Sequence, residues 1–227
     1  MIKLFFYILP ILSLFLPSLW VNYILKKNNT ILPDMPFSGR ELGKKILQEK
    51  HLDNVSIQQI KKIDHYNPIE KKVHIGEDKL DKKSITSIAV VAHEIGHAIQ
   101  DKENYKPLLL RQKLIEKTII FQRIGSFLLI IGLPSIFAIT KSPFITFVAA
   151  ILIMGCLSTN VVIHLITLPV EFDASRRALI WLKSANISTP QEVNFAEDAL
   201  KWAASTYVVA ALAAAAYLLY YVALLKE

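Results

Sequence analysis

The sequence predicts a mostly α-helical, multi-pass membrane protein with about four transmembrane helices and a small β-hairpin or sheet. Of its 227 residues, 53% are hydrophobic and the mean hydropathy is positive, which is high for a water-soluble protein. The hydrophobic residues gather in four runs, each near the ~20 residues that a helix needs to cross a bilayer. Lys and Arg border these runs, as they do in membrane proteins. The lipid bilayer is therefore an expected partner.

The four apolar runs cover residues 4–25, 124–140, 144–168 and 203–225. A cleaved signal peptide is the alternative interpretation of the first run. Trp20, Tyr23 and Lys26 stand where a cleavage site should be, so we expect an uncleaved anchor. Only residues 141–143 separate the second run from the third, which predicts a helical hairpin in the bilayer.

Residues 28–123, between the first two runs, are polar. Ser38 can cap a helix that has an apolar stripe beginning at Leu42. Residues 55–76 predict two or three short strands, with a turn at 64–68 that contains Asn-Pro. One edge of this sheet could bind an extended peptide as an additional strand, or the element is only a structural hairpin.

A His-Glu-x-x-His motif lies within residues 90–100, where apolar residues recur at helical spacing after a possible N-cap at Ser84. On a helix, His93 and His97 lie one turn apart on the same face, which is the geometry that binds zinc. Glu94 is offset from both, beside the metal, where a carboxylate can accept a proton from a zinc-activated water. Chance spacing on an amphipathic helix is the alternative, but unpaired imidazoles on an apolar helix would cost several kcal/mol.

A catalytic zinc site needs a third protein ligand and an open position for water. Pro169 can begin a helix that presents Glu171 and Ser175 on one face, so Glu171 is the best remaining candidate. The single cysteine, Cys156, lies inside an apolar run, so a disulfide framework is excluded and thiolate ligands are not expected.

Peptide hydrolysis also needs a group that stabilises the oxyanion, and His65, Tyr66 and His164 are the candidates. A packed hairpin aromatic is the alternative for Tyr66. His164 lies near the end of the third apolar run, where it either sits at the membrane interface or reaches the metal site.

Two predicted spans separate His97 from Glu171, so these two residues return to the same side of the membrane. Most juxtamembrane Lys and Arg residues lie on that side, which predicts a zinc site facing the cytoplasm and both termini outside. The same residues account for the net charge of +7. No basic patch is interleaved with aromatics, so a nucleic-acid partner is not expected.

Four stretches, at 37–41, 64–68, 91–100 and 171–179, resemble the YugP-like neutral zinc metallopeptidases, which are bacterial membrane proteins. The resemblance covers nearly the whole chain in order. It implies a multi-pass zinc peptidase of the bacterial inner membrane, with a peptide or protein substrate that could itself be a membrane protein. Within the second stretch, Asn67 stands where the family usually has Asp, and it keeps the turn.

A more distant resemblance is to the HtpX-type membrane zinc proteases, which have a gluzincin-like site. Their third zinc ligand is the Glu of a Glu-x-x-Ala-Asp pattern, which maps onto Glu171. In those enzymes the Asp supports the first His ligand. Ser175 replaces that Asp here, and Asp173 or Ser175 itself could take over the supporting role.

The sequence therefore predicts a zinc-dependent metallopeptidase with metal ligands His93, His97 and Glu171 and with Glu94 as general base. The sequence divides into five predicted regions. They are an N-terminal anchor (1–27), a catalytic region (28–123), a transmembrane hairpin (124–168), a third-ligand helical region (169–202) and a C-terminal transmembrane helix (203–227).

Two other classes of protein stay open. One is an intramembrane site-2-type protease, but polar residues at 82–83 and 101–103 bracket a helix too short to cross. The other is a non-enzymatic membrane scaffold with a structural zinc site, which would have four protein ligands and no open position.

Overall fold

The computed structural model describes Leu19, Tyr23 and residues 36–61, 63–185 and 189–224. Within them the helices are α1 (Gly39–Glu49), α2 (Glu77–Leu80), α3 (Ile85–Lys102), α4 (Lys106–Ile131), α5 (Leu133–Thr140), α6 (Pro143–Ser184) and α7 (Pro190–Leu224). The strands are β1 (Ser56–Ile60), β2 (His65–Asn67) and β3 (Lys72–Gly76). The mostly helical class with a small sheet is confirmed.

The chain divides into two compact units. We call the first the apolar unit; its described residues are 110–167 and 207–224. We call the second the motif unit, because it contains the His-Glu-x-x-His stretch; its described residues are Leu19, Tyr23 and those within 36–109 and 168–206.

Helix α1 begins at the residue that the sequence predicts. Ser38 is its N-cap, and a capping box joins Ser38 to Glu41: the Ser38 N–H donates to Glu41 Oε2 at 2.8 Å, and Glu41 N–H donates to Ser38 Oγ at 3.4 Å. The apolar stripe, including Leu42 and Ile46, is buried. Helix α1 packs with this stripe toward α3.

The sheet has the order β1-β3-β2, with β1 parallel and β2 antiparallel to β3. The predicted strands are confirmed. The prediction of a turn at 64–68 is wrong, because residues 65–67 form β2. Cross-strand pairing of His65 with His74 and of Tyr66 with Val73 overrides the local turn preference. The turn follows β2 instead, where Asn67 Oδ1 accepts hydrogen bonds from the backbone N–H groups of Ile69 and Glu70.

Helix α3 carries the His-Glu-x-x-His motif through the core of the motif unit. Ser84 caps it by accepting a hydrogen bond from Ser87 N–H at 3.2 Å, as the sequence predicts. Ile88, Val91 and Ile95 are fully buried on α3, which fixes the helix against the sheet and α1.

The second predicted span, at 124–140, is bent in the structure and is shared between helices α4 and α5. The chain breaks at Gly132, which has a φ of 78°, and the axes of α4 and α5 differ by 79°. A positive φ is open to glycine without steric cost, and Pro134 opens the new helix. The bent pair is thus either one broken span or a re-entrant loop.

Pro169 lies inside α6 and does not begin a helix, which corrects a second prediction. The helical pattern continues on both sides of it, and a long apolar helix tolerates one missing backbone hydrogen bond. Helix α7 begins with Pro190 at its first position, after a capping box between Thr189 and Glu192.

Two described helices are long and apolar enough to cross a membrane: α6 and the Glu192–Ala216 part of α7. A third span results if α4 and α5 together count as one. The predicted first span, at 4–25, lies outside the described residues apart from Leu19 and Tyr23.

Candidate metal centre

The two histidines of the motif lie on one face of α3, as their spacing requires. The ring centroids of His93 and His97 are 4.9 Å apart and the rings are nearly perpendicular. The His97 side chain is buried and the His93 side chain is 15% exposed. Both imidazoles are thus held together in a largely dry environment.

Helix α6 brings a carboxylate to the same point. Glu171 Oε2 lies 3.2 Å from His93 Nε2 and 3.5 Å from His97 Nε2. One ligand atom from each of these three residues lies within 4.8 Å of the others, and the Glu171 side chain is only 4% exposed. The sequence-predicted ligands therefore converge, although 73 residues lie between His97 and Glu171 in the chain.

Close contact between α3 and α6 makes this convergence possible. A Cβ atom placed on Gly96 would lie 2.7 Å from the carbonyl oxygen of Ala174. Because the obstacle is backbone, no side-chain movement could relieve it. Sequence reasoning missed this role of Gly96, because it depends on a contact with Ala174 of α6.

The outer nitrogen of each imidazole makes a hydrogen bond of its own. His93 Nδ1 pairs with Ser175 Oγ at 3.1 Å, and His97 Nδ1 pairs with Gln100 Oε1 at 3.0 Å. These bonds leave both Nε2 atoms directed at Glu171. Such outer partners orient metal-binding histidines. Ser175 was predicted for this role, whereas Gln100 was missed.

Asp173 lies on α6 and reaches the second histidine only through Gln100. Its Oδ2 accepts a hydrogen bond from Gln100 Nε2 at 3.0 Å. Arg177 Nε donates to the same oxygen at 2.5 Å, and Arg176 donates to Oδ1 at 2.9 Å. Arg177 also pairs with Glu103 at 2.6 Å, which ties α6 to the end of α3.

Glu94 is buried beside the two histidines, with 8% of its surface exposed. Burial raises the pKa of the Glu94 carboxyl, and the nearby imidazoles oppose that rise only in part. For His97, burial lowers the pKa, but the hydrogen bond and charge of Glu171 outweigh it and raise the pKa overall. Glu94 is thus a second carboxyl at the site, beside Glu171, and it binds a proton more readily than an exposed glutamate does.

Two of the three predicted oxyanion stabilisers, Tyr66 and His65, make other side-chain contacts within the motif unit. The Tyr66 hydroxyl donates to Asp101 Oδ2 at 2.6 Å, and both burial and Asp101 raise the pKa of Tyr66. His65 is exposed and stacks on His74, with ring centroids 4.6 Å apart. His164 belongs to the apolar unit, so its proposed role stays a prediction.

The donor set fits zinc. Zinc in proteins is bound by histidine nitrogens and carboxylate oxygens, and catalytic sites combine three such ligands with an open position. The cluster offers two imidazole nitrogens and one carboxylate oxygen within 4.8 Å of one another. Two histidines plus one glutamate is a set that zinc peptidases use.

The cluster could hold a metal ion, and comparison with known proteins relates the chain to zinc peptidases. The chain belongs to the family described as "Putative neutral zinc metallopeptidase", whose model matches residues 3–226. The family resemblance seen in the sequence is confirmed.

A curated relative is the protein named "Putative membrane protease YugP" from Bacillus subtilis (strain 168). It is 31% identical over 201 residues, which cover 86% of this chain and 85% of the relative. No solved structure shows a significant match to this chain.

Proposed function

We propose that this protein is a membrane-bound zinc metallopeptidase that hydrolyses peptide bonds. The observation that carries the proposal is the convergence of His93, His97 and Glu171 within 4.8 Å, on two helices of one compact unit. Family membership and the relative's printed name support the same reaction class.

A bound zinc ion would polarise the scissile carbonyl and lower the pKa of a water molecule at its open position toward ~7. His93, His97 and Glu171 would hold the ion. Their outer hydrogen bonds to Ser175 and Gln100 keep the two rings aimed at one point.

Glu94 supplies the proton transfers. It follows His93 directly in the chain and therefore cannot share the ligand face of α3. As a buried carboxylate it accepts the proton of the attacking water and passes it to the leaving amine. The raised pKa of Glu94 suits this exchange, because a base whose proton affinity is higher takes the proton more readily.

Membrane placement follows from the order of the helices. His97 and Glu171 both belong to the motif unit, so the chain between them crosses the bilayer an even number of times. Helix α6 supplies one crossing, and α4 with α5 supplies the other as one broken span. The juxtamembrane Lys and Arg residues support a motif unit that faces the cytoplasm of a bacterial cell.

Metal dependence of cleavage tests the proposal. Detergent-solubilised protein should cleave a casein-like or membrane-protein substrate, lose that activity on chelation and regain it with zinc. His93→Ala should not regain it, because one of three ligands is absent. Glu116→Ala, an exposed acid of α4, is the matched control. Cleavage by zinc-treated His93→Ala at the wild-type rate would overturn the proposal.

A further inference from the structure

The second imidazole of the cluster is tied to a fully buried amide. His97 Nδ1 lies 3.0 Å from Gln100 Oε1, and Gln100 has no exposed surface. Both residues belong to α3, three positions apart, so the contact is local and short.

The orientation of the Gln100 amide is fixed by what faces its nitrogen. Gln100 Nε2 lies 2.8 Å from the carbonyl oxygen of Val170 and 3.0 Å from Asp173 Oδ2. A carbonyl accepts hydrogen bonds and cannot donate, and an ionised carboxylate likewise only accepts. Both amide hydrogens are therefore used on α6, and the amide oxygen must be the atom that faces His97.

An amide oxygen can only accept, so His97 Nδ1 must carry the hydrogen that joins the two. In the neutral ring, Nε2 then holds the free lone pair, and it is Nε2 that faces Glu171. We infer that Gln100 is a positioning residue that holds His97 in the one neutral tautomer able to bind zinc through Nε2. The inference rests on the proposed function and deepens it.

Asp173 anchors this link from the other helix. Arg177 and Arg176 donate to its two oxygens, at 2.5 and 2.9 Å, which keeps the carboxylate ionised and fixed in place. Asp173 thus acts on His97 through Gln100, across the contact between α6 and α3.

The first histidine has no equivalent constraint. Ser175 Oγ lies 3.1 Å from His93 Nδ1, but a hydroxyl can either donate or accept. Ser175 therefore orients the His93 ring without selecting its tautomer. The Asp173 carboxylate acts on the second histidine instead, through Gln100.

Zinc affinity of two Gln100 variants tests the inference. Gln100→Leu removes both the acceptor for His97 and the donors to α6, whereas Gln100→Glu keeps an acceptor, removes the donors and adds a negative charge. We expect Gln100→Leu to raise the Kd for zinc about 10- to 100-fold, the usual cost of losing such a partner. Gln100→Glu should recover at least about fivefold of that loss. The Kd is measured on purified full-length protein in detergent, by competition with a chromophoric chelator.

Thermal unfolding of the metal-free proteins separates positioning from packing. Both variants lose the bonds to Val170 and Asp173, so both should unfold at lower temperature. A purely structural role for Gln100 would change the Kd of the two variants equally, and that result, or an unchanged Kd in Gln100→Leu, overturns the inference. If Gln100→Leu fails to fold, Gln100→Met, unbranched and of similar volume, replaces it with the same expectation.

Ser175→Ala supplies the comparison within the site. It should raise the Kd for zinc less than Gln100→Leu does, because Ser175 does not select a tautomer. An equal or larger rise would contradict the asymmetry between the two histidines. If the wild-type protein itself binds no zinc, the proposed function fails, which is a result distinct from failure of the Gln100 assignment.

Discussion

Gly96 lies so close to the backbone of Ala174 that a Cβ atom on Gly96 would be 2.7 Å from the Ala174 carbonyl oxygen. Gly96 stands between the two histidines of α3, and Ala174 follows Glu171 by less than one turn of α6. The two helices therefore touch at the level of the candidate metal ligands. This contact sets how far the Glu171 side chain must extend from α6 to reach the two histidines of α3.

Replacing Gly96 by alanine should push α3 and α6 apart and lower zinc affinity. In an isolated helix, replacing glycine by alanine stabilises the helix by about 1 kcal/mol. A loss of zinc affinity would therefore come from the contact with α6 and not from a weaker helix. Zinc titration and thermal unfolding of Gly96→Ala in detergent measure both effects. Wild-type zinc affinity in this variant would show that the close contact is not required.

Loss of any one of the three ligands should remove most of the zinc. We expect about one zinc per chain in the wild type, as in a single catalytic site, and little in His93→Ala, His97→Ala or Glu171→Ala. Metal analysis of the purified proteins decides this, with Glu116→Ala as control. Glu171→Ala that keeps its full zinc content would remove Glu171 from the ligand set.

Much of the site can be predicted from the sequence because its signals are local. The spacing of His93 and His97 fixes a shared helix face, and Ser84 marks where that helix begins. Glu171 needs more: it follows from the chemistry of zinc and from the number of crossings between it and His97. These inferences depend on periodicity, on donor type and on the count of apolar runs.

Other features depend on contacts between distant segments. Gly96 and Gln100 take their roles from α6, which no local pattern in α3 specifies. The turn at 64–68 is wrong because pairing with β3 outweighs the preference of Asn-Pro. Pro169 is a helix-start signal in isolation, yet the apolar helix continues through it.

Tyr66 should contribute little to catalysis, because its hydroxyl is engaged with Asp101 at 2.6 Å. We expect Tyr66→Phe to lower cleavage by less than about tenfold, whereas loss of an oxyanion donor typically costs 100-fold or more. The measurement is kcat on one substrate for the two proteins. A fall of about 100-fold or more would mean that Tyr66 turns from Asp101 to the substrate.

Membrane topology gives a further test. Residues 28–123 and 171–200 should face the cytoplasm, and the turn at Lys141 and both termini should lie outside. Single cysteines placed at Lys61, Lys141 and Lys226, in a chain with Cys156 replaced by alanine, can be labelled from either side. If Lys61 and Lys141 label from the same side, the chain does not cross between them as proposed.

The most direct test of the account is the change of Glu94 to glutamine. Glutamine keeps the size and hydrogen-bonding capacity of the side chain but cannot accept the proton. We expect Glu94→Gln to fold and to keep most of its zinc, yet to lose at least ~100-fold in cleavage rate, the lower end of general-base contributions. Glu116→Gln, an exposed acid away from the motif, is the control and should cleave normally. Zinc content and cleavage are measured on the same detergent-solubilised samples, and a zinc-loaded Glu94→Gln that cleaves as fast as the wild type would contradict the account.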